Sequence, residues 1–373
     1  LHHLRVGKRI NLHLSTVDIA AYLSNFSTND GLDGKGLIAD LERIRDEWSE
    51  SRQIPSRVAA IDLGSSGIKM LIQERQPDGQ YLTLRDVRLS TRLGEGVADG
   101  AAIPPENLAR TKEALASLLN QAKNDFGILP ESIPLIATAV VRNAPNGAEF
   151  IDGIRDGVGL ARAGVLSGEE EAKFGYLGML VGYRQIGQST DAYATVDLGG
   201  GSFQIALGTR DSYEFGASVQ IGSNKIVSKW LPEGLLTAEQ YKNADEALAE
   251  QAPLPIDAQG LSGRRLVGTG SISRFLAAHF GSERITLGDM ESLRITLGKL
   301  PPKDRLPLLR ANKSAETLTA IGLSTDKDAL DYAIKFPAGV TLLMHIMRQL
   351  HVTEMTVSAT DVRHLLIAMA EVR

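Results

Sequence analysis

The sequence predicts an α/β fold with a duplicated lobe, on three observations. From Arg57 onward, short β-branched and apolar runs that end at glycine alternate with helical stretches, the pattern of an α/β chain. Laid over itself at an offset of 135 residues, the chain places Val58-Ala59-Ala60-Ile61-Asp62-Leu63-Gly64-Ser65-Ser66-Gly67 on Tyr193-Ala194-Thr195-Val196-Asp197-Leu198-Gly199-Gly200-Gly201-Ser202, with Ala, Asp, Leu and Gly coinciding. A duplicated lobe is the economical explanation. The length of 373 residues, 43% apolar and 23% charged, suits two lobes and an appendage at about 150 residues per domain.

The chain opens on Leu1, and this end is read as trimmed or as an early start. Residues 1–56 are set apart as an N-terminal appendage, with a helix-like piece at Leu37–Trp48 after the turn-rich stretch 24–31. Residues 57–190 form the first expected lobe. Its strands are Val58–Asp62, Ile68–Gln73 and Tyr81–Leu89, followed by a helix over Pro105–Ala122 and a strand over Ser132–Val141. A helix over Gly147–Gly157, a strand at Ala163–Leu166 and a helix from Glu169 to Val181 complete it. Residues 191–373 form the second lobe, which restarts the pattern with a hairpin whose return strand is Phe203–Leu207. Strand Arg265–Val267, helix Ser271–His279, a largely helical stretch over Gly288–Leu350 and a strand–helix pair at Met355–Val357 and Asp361–Glu371 follow.

Composition removes several classes of function. Forty Lys and Arg against 45 Asp and Glu leave a net charge of −5, so there is no global field for gathering polyanions, and a DNA partner is not expected. Cysteine is absent, which excludes disulfides, thiolate nucleophiles and cysteine metal sites and fits a reducing cytoplasm. The histidines at 2, 3, 13, 279, 345, 351 and 364 show no zinc-hydrolase spacing. Apolar runs such as Ile133–Val141 stop far short of the ~18 residues of a membrane span, so a soluble protein without a membrane partner is expected.

Each hairpin carries an Asp just before a glycine-containing turn. Small residues there let backbone N–H groups approach a ligand, and a nest of such groups binds phosphate oxygens. A single such turn is more often only a turn. Two copies point to a phosphate chain gripped from opposite lobes, with Asp62 and Asp197 holding Mg²⁺ through water. The glutamates after Leu166 separate by position: Ser167 and Glu170 make an S-x-x-E capping box, Glu169 is a solvated first-turn residue, and Glu171 lies one turn into the helix. A solvated helix-start carboxylate is the plain alternative for Glu171.

The segments Asp62-Leu63-Gly64-Ser65, Asp197-Leu198-Gly199-Gly200-Gly201-Ser202 and Gly268-Thr269-Gly270-Ser271 resemble the two phosphate motifs and the third nucleotide-side motif of the actin, heat-shock chaperone and sugar-kinase superfamily. Within it, Leu166-Ser167-Gly168-Glu169-Glu170-Glu171-Ala172, together with Arg92–Gly96 and Ala137–Ala144, is similar to the exopolyphosphatase and guanosine pentaphosphate phosphohydrolase family. The resemblance runs from Val58 to Arg373. It implies two actin-like (ribonuclease H-like) lobes with a cleft between them. It also implies Glu171 as the catalytic residue that orients the attacking water. Phosphate contacts are implied for Gly64, Ser65, Ser66, Lys69, Arg142, Gly199, Gly200, Gly201, Ser202, Gly268, Thr269, Gly270 and Ser271, and metal contacts for Asp62 and Asp197. Arg142 occupies the family's Thr-x-x-x-Arg position, expected at a strand end, where a guanidinium grips phosphate. For Arg142 and Lys69 the plain alternative is surface solvation.

Two departures stand out. Ser66 and Gly67 replace an Asn and a Ser of the family's first motif, and Ser358-Ala359-Thr360-Asp361-Val362-Arg363-His364-Leu365 keeps the Ser and Arg of its C-terminal run but neither glycine nor the glutamate. The resemblance therefore implies a Mg²⁺-dependent phosphohydrolase acting on polyphosphate or a guanosine polyphosphate, with a homodimer among the allowed assemblies. The rivals are a nucleotide- or polyphosphate-binding regulator with impaired turnover and an ATP-dependent small-molecule kinase. The 135-residue spacing leaves little room for the insertions of the larger sugar kinases. The span after residue 56 corresponds to the two-lobe core, which points to short chains or nucleotides.

Overall fold

The computed structural model describes residues 56–369 apart from 78–79, 99, 161, 184–191, 211 and 257–259. The expected helix at Leu37–Trp48 and the last residues of the expected helix to Glu371 lie outside the described residues. The described chain divides into two units.

The first unit is built on a five-stranded sheet. Strands β1 (Arg57–Leu63), β2 (Gly67–Arg75), β3 (Tyr81–Ser90), β4 (Leu135–Ala137) and β5 (Ala163–Val165) lie in the order β3-β2-β1-β4-β5. β1 runs antiparallel to β2, while β4 and β5 join parallel to it. This is the ribonuclease H-like order expected for each lobe. Buried on both faces, β1 reads as the near-continuous apolar run Val-Ala-Ala-Ile-Asp-Leu.

Helix α1 (Pro105–Phe126) starts on a proline suited to the first helical position and ends at Gly127, whose φ of 71° only glycine adopts cheaply. It runs one turn beyond the expected end at Ala122. Helices α2 (Ala139–Asn143), α3 (Gly147–Val158) and α4 (Gly168–Tyr183) follow. The expected strand Ser132–Val141 is thus corrected: only 135–137 pair with β1 and β5, and the chain then turns through extended Thr138 into α2. A three-residue parallel strand is too short for β-branched composition to separate it from the helix that follows.

The last described helix, α12 (Val362–Met369), belongs to this unit and not to the lobe that precedes it in sequence. Leu365, Leu366 and Ile367 share a core with Val58, Ala60, Leu71, Ile136 and Phe174. Close approach to α4 requires glycine: a Cβ on Gly178 would lie 2.4 Å from the Asp361 backbone, and one on Gly182 would lie 2.6 Å from the Thr360 hydroxyl.

The second unit repeats the arrangement. Strands β6 (Ala192–Leu198), β7 (Phe203–Thr209), β8 (Tyr213–Val219), β9 (Arg265–Thr269), β10 (Arg284–Thr286) and β11 (Glu354–Val357) give the order β10-β11-β9-β6-β7-β8. β8-β7-β6 is antiparallel and β9 and β11 are parallel to β6, as in the first sheet, with β10 added at the edge. Helices α5 (Ser223–Lys229), α6 (Ala238–Gln251), α7 (Gly270–Phe280), α8 (Leu287–Gly298), α9 (Pro302–Arg310), α10 (Ala315–Ile321) and α11 (Asp326–Gln349) pack around it. The stretch from Gly288 to Leu350 is largely helical, as expected. α11 is buried along most of its length from Ala329 to Met347. Arg305, 1% exposed, ties this layer together by donating to the carbonyls of Leu297, Leu300, Ala333 and Gly234 at 2.6–2.9 Å. The carbonyls of Leu297, Leu300 and Gly234 lie at or beside helix ends, and that of Ala333 faces Pro337 inside α11, which has no N–H to offer it.

Candidate functional site

In the first unit three connections leave one end of the sheet. Leu63, Ala137 and Val165 stand level in the β1–β4–β5 register. The segments leaving these three strands therefore emerge together, at the strand C-termini where open α/β sheets bind ligands.

The first connection is the turn after β1. Register sets Asp62 opposite Lys69, and Lys69 Nζ donates to Asp62 Oδ2 at 2.8 Å. Gly64 N–H closes the turn on Gly67 O at 3.0 Å, while Gly94 and Arg92 N–H groups donate to Ser65 O at 2.9 Å and Ser66 O at 3.1 Å. A planar trans peptide sends its C=O and the following N–H to opposite sides. The N–H groups of Ser66 and Gly67 therefore point away from this brace, an arrangement of donors that suits an anion. Arg92 holds a φ of 48°, a strained value for arginine that the surroundings must fix. Asn107 Nδ2 donates to Leu93 O at 3.2 Å and Glu95 O at 2.8 Å, and Arg110 donates to Arg92 O at 3.1 Å. Asn107 and Arg110 were not singled out from the sequence, because their bearing on the turn runs through main-chain carbonyls of a distant loop, which the spacing along the chain does not show.

The second and third connections bring Arg142 and Glu171 together. Arg142, in α2 and not at a strand end as expected, donates from Nη1 to Glu171 Oε2 at 3.0 Å and to Leu166 O at 2.7 Å. The side chains are 17% and 16% exposed. Nη2 of Arg142 is buried and has no hydrogen-bond partner among the described residues. Glu171 is fixed by its helix: its N–H donates to Ser167 O at 2.9 Å. The expected capping box is present, with Ser167 N–H donating to Glu170 Oε2 at 2.8 Å and Glu170 N–H to Ser167 Oγ at 3.1 Å. Glu169 is exposed. Burial pushes the Lys173 ammonium down one turn later, against the pull of Glu169 and Glu170.

In the second unit the turn after β6 copies the first. Gly199 N–H closes it on Ser202 O at 2.9 Å, and register sets Asp197 opposite Gln204. The brace is shifted by one residue: Ser223 N–H donates to Gly199 O at 3.1 Å and Asn224 N–H to Gly200 O at 2.9 Å. The N–H groups of Gly200 and Gly201 face away from it. Gly222 sits so close that a Cβ would lie 2.4 Å from the Gly200 backbone. Asp197 and Thr269 are register partners of β6 and β9. Gly270, at a φ of 79°, would put a Cβ 2.5 Å from Asp197 Oδ1. Asp197, the glycine turn, Thr269 and Gly270 are thus brought together. Gly268 lies within β9, where a Cβ would meet Ser273 and Met355, and the Ser271 carbonyl accepts from the Tyr332 hydroxyl at 3.1 Å.

The C-terminal run has a structural task. Arg363, 0% exposed, donates to Asp361 Oδ2 and to Asp86 Oδ1, each at 2.6 Å. Burial works against its charge and the two carboxylates more than offset it, so its pKa is raised. Asp86, Asp361 and Arg363 all lie in the first unit.

Among the described residues no group of three His, Asp or Glu forms a metal cluster. Each turn offers one carboxylate with serine hydroxyls and backbone carbonyls. That donor set fits Mg²⁺, which takes one or two carboxylates and completes its shell with water and phosphate.

The chain has relatives among known proteins. It is 28% identical over 316 residues to a guanosine-5'-triphosphate,3'-diphosphate pyrophosphatase of Photobacterium profundum, a match covering 84% of this chain and 59% of that relative's length. Among solved structures, the Ppx/GppA family member of Aquifex aeolicus matches with a TM-score of 0.61 at 21% identity, covering 85% of this chain and 97% of its own. An exopolyphosphatase from Cytophaga hutchinsonii matches with a TM-score of 0.67 at 18% identity, covering 84% of this chain and 98% of its own. At these identities the structural likeness establishes the fold. The model of the Ppx/GppA phosphatase family matches residues 74–371, a span that takes in Arg142, Glu171, the second glycine turn and the Gly268–Ser271 segment, and the chain belongs to that family.

Proposed function

We propose that the protein is a phosphohydrolase that releases terminal orthophosphate from inorganic polyphosphate or guanosine pentaphosphate. The observation that carries this reading is the Arg142–Glu171 pair at 3.0 Å, with a second guanidinium nitrogen buried and without a hydrogen-bond partner among the described residues. Beside the N–H groups of the first turn, a buried donor of this kind suits a phosphate oxygen. The family membership and the named relative support the same substrate class.

In the proposed reaction Arg142 and the turn N–H groups hold the terminal phosphate and stabilise the charge that spreads over its oxygens. Glu171, rigid one turn into α4, orients a water for in-line attack and takes its proton. The new P–O bond forms as the bridging P–O bond breaks, leaving orthophosphate and a chain shorter by one phosphate. Asp62 and Asp197 are the residues that would hold Mg²⁺, which when bound neutralises phosphate charge. The zero cysteine count agrees with the cytoplasm as the place of action.

One observation favours the second reading, a polyphosphate- or nucleotide-binding regulator: Lys69 engages Asp62 Oδ2 at 2.8 Å, which leaves that oxygen committed. The deciding experiment is phosphate release from long-chain polyphosphate, short-chain polyphosphate, guanosine pentaphosphate and ATP, side by side with Mg²⁺. Release from any of the first three in excess of ATP supports the hydrolase. Binding of these compounds without release supports the regulator.

A further inference from the structure

The two hairpins are copies in backbone but not in the polar group opposite the aspartate. At the register position of Lys69 the second hairpin carries Gln204. Gln204 is 5% exposed, and its Nε2 lies 2.8 Å from the hydroxyl oxygen of Ser202, itself 3% exposed at the end of the glycine turn. The same nitrogen lies 3.0 Å from Oγ of Ser218, its ladder partner on β8. Ser218 also accepts from Gln220 Nε2 at 3.1 Å, so its oxygen is engaged twice and anchors the Gln204 amide.

An amide NH₂ donates and does not accept, whereas a hydroxyl has one proton and two lone pairs. The Ser202 oxygen must therefore accept from Gln204, and its one proton is turned away from that amide. The backbone of Ser202 cannot swing to follow, because its carbonyl accepts the turn-closing bond from Gly199 N–H at 2.9 Å. The first hairpin has no such device. It has Gly67 at the position of Ser202, and the Lys69 ammonium is committed to Asp62 at 2.8 Å.

We infer that Gln204 is a positioning residue that presets the Ser202 hydroxyl as a hydrogen-bond donor to a phosphate oxygen seated on the second glycine turn. This rests on the phosphate-binding reading of that turn. It deepens that reading by giving the second turn a neutral, oriented donor where the first has an ammonium–carboxylate pair.

The test is calorimetric binding of inorganic tripolyphosphate with Mg²⁺ to the full chain and to Ser202→Ala, Gln204→Met and the double variant, each checked for folding by its thermal transition. Loss of a hydrogen bond to a charged group predicts that each single change weakens binding by about tenfold. The double variant should bind no more weakly than Ser202→Ala, because Gln204 acts only through that hydroxyl. Should Gln204→Met fail to fold, Gln204→Asn, too short to reach both hydroxyls, takes its place in the cycle. Losses that add, or a Gln204 variant that binds like the parent while Ser202→Ala does not, overturn the positioning role and leave the phosphate reading standing. A parent protein that binds no tripolyphosphate overturns both.

Discussion

Glu171 and Glu170 are neighbours of one chemical kind, and their partners give them different work. Glu170 closes a capping box, a task glutamine also performs. Glu171 faces Arg142. Glu171→Gln should lower phosphate release by about 10²–10⁴-fold, the size of a general-base contribution, while folding and ligand binding persist; Glu170→Gln should retain most activity. Steady-state phosphate release with a binding assay checks both, and turnover near the parent level for Glu171→Gln removes it from the mechanism. Asp62→Asn and Asp197→Asn should each raise the Mg²⁺ concentration needed for half-maximal activity, since each removes the carboxylate charge of its turn. An unchanged Mg²⁺ dependence in both assigns them to turn-making. The capping box was readable because its signal is local, four residues long and chemically specific. The approach of Arg142 to Glu171 was not: it depends on two strands ending level in a parallel sheet, which spacing along the chain does not encode.

Helix and strand boundaries follow the same division. Hairpin register was legible from the self-alignment, because Asp-Leu-Gly fixes both the last strand residues and the turn. Gly127 marks the true end of α1 with a left-handed φ of 71°. The β4–α2 boundary was misread because Val140 and Val141 are β-branched, yet only residues 135–137 have strand partners. The closeness of α5 to the second turn was also hidden, since a glycine required for lack of space resembles one required for φ. Gly222 is of the first kind. Gly222→Ala would put a methyl 2.4 Å from the Gly200 backbone, so the turn or the start of α5 must move. Overpacking of this kind costs about 1–3 kcal/mol. The variant should therefore unfold at lower denaturant and bind tripolyphosphate more weakly. Parent-like values for both would show that the loop yields without disturbing the turn. Gly157, with no heavy atom near its Cβ position, is the matched control on a helix.

On the scale of the whole molecule, burial of titratable groups and the path of the chain set stability. His345 is 5% exposed. Burial pushes its pKa below the ordinary value, with Arg348 adding to this and the Ala252 carbonyl and Asp245 pulling against it. The unfolded chain takes up this proton near the ordinary pKa of about 6.5, and the folded protein only at lower pH. Its contribution is thus fully present above about pH 6.5 and lost as pH falls through the folded value. Urea unfolding at stepped pH should show stability falling across that window, less steeply in His345→Gln; equal slopes would remove His345 from the effect. The chain path makes the more severe prediction. Helix α12 follows the second unit in sequence but completes the core of the first, where Leu365, Leu366 and Ile367 meet Val58, Ala60 and Phe174 and Arg363 joins Asp86. A chain ended at Ala359 would leave that apolar face of the first unit uncovered and Asp86 without its guanidinium. Removing one partner of a buried ion pair alone costs about 3–5 kcal/mol, a large share of the stability of one unit. Amide hydrogen exchange in the shortened chain should accelerate in β1 and α4, although both lie far from the cut in sequence. The long helix α11, which ends only ten residues before the cut, should keep its protection. Exchange that rises first in α11 while β1 and α4 stay protected would show that α12 does not hold the first unit together.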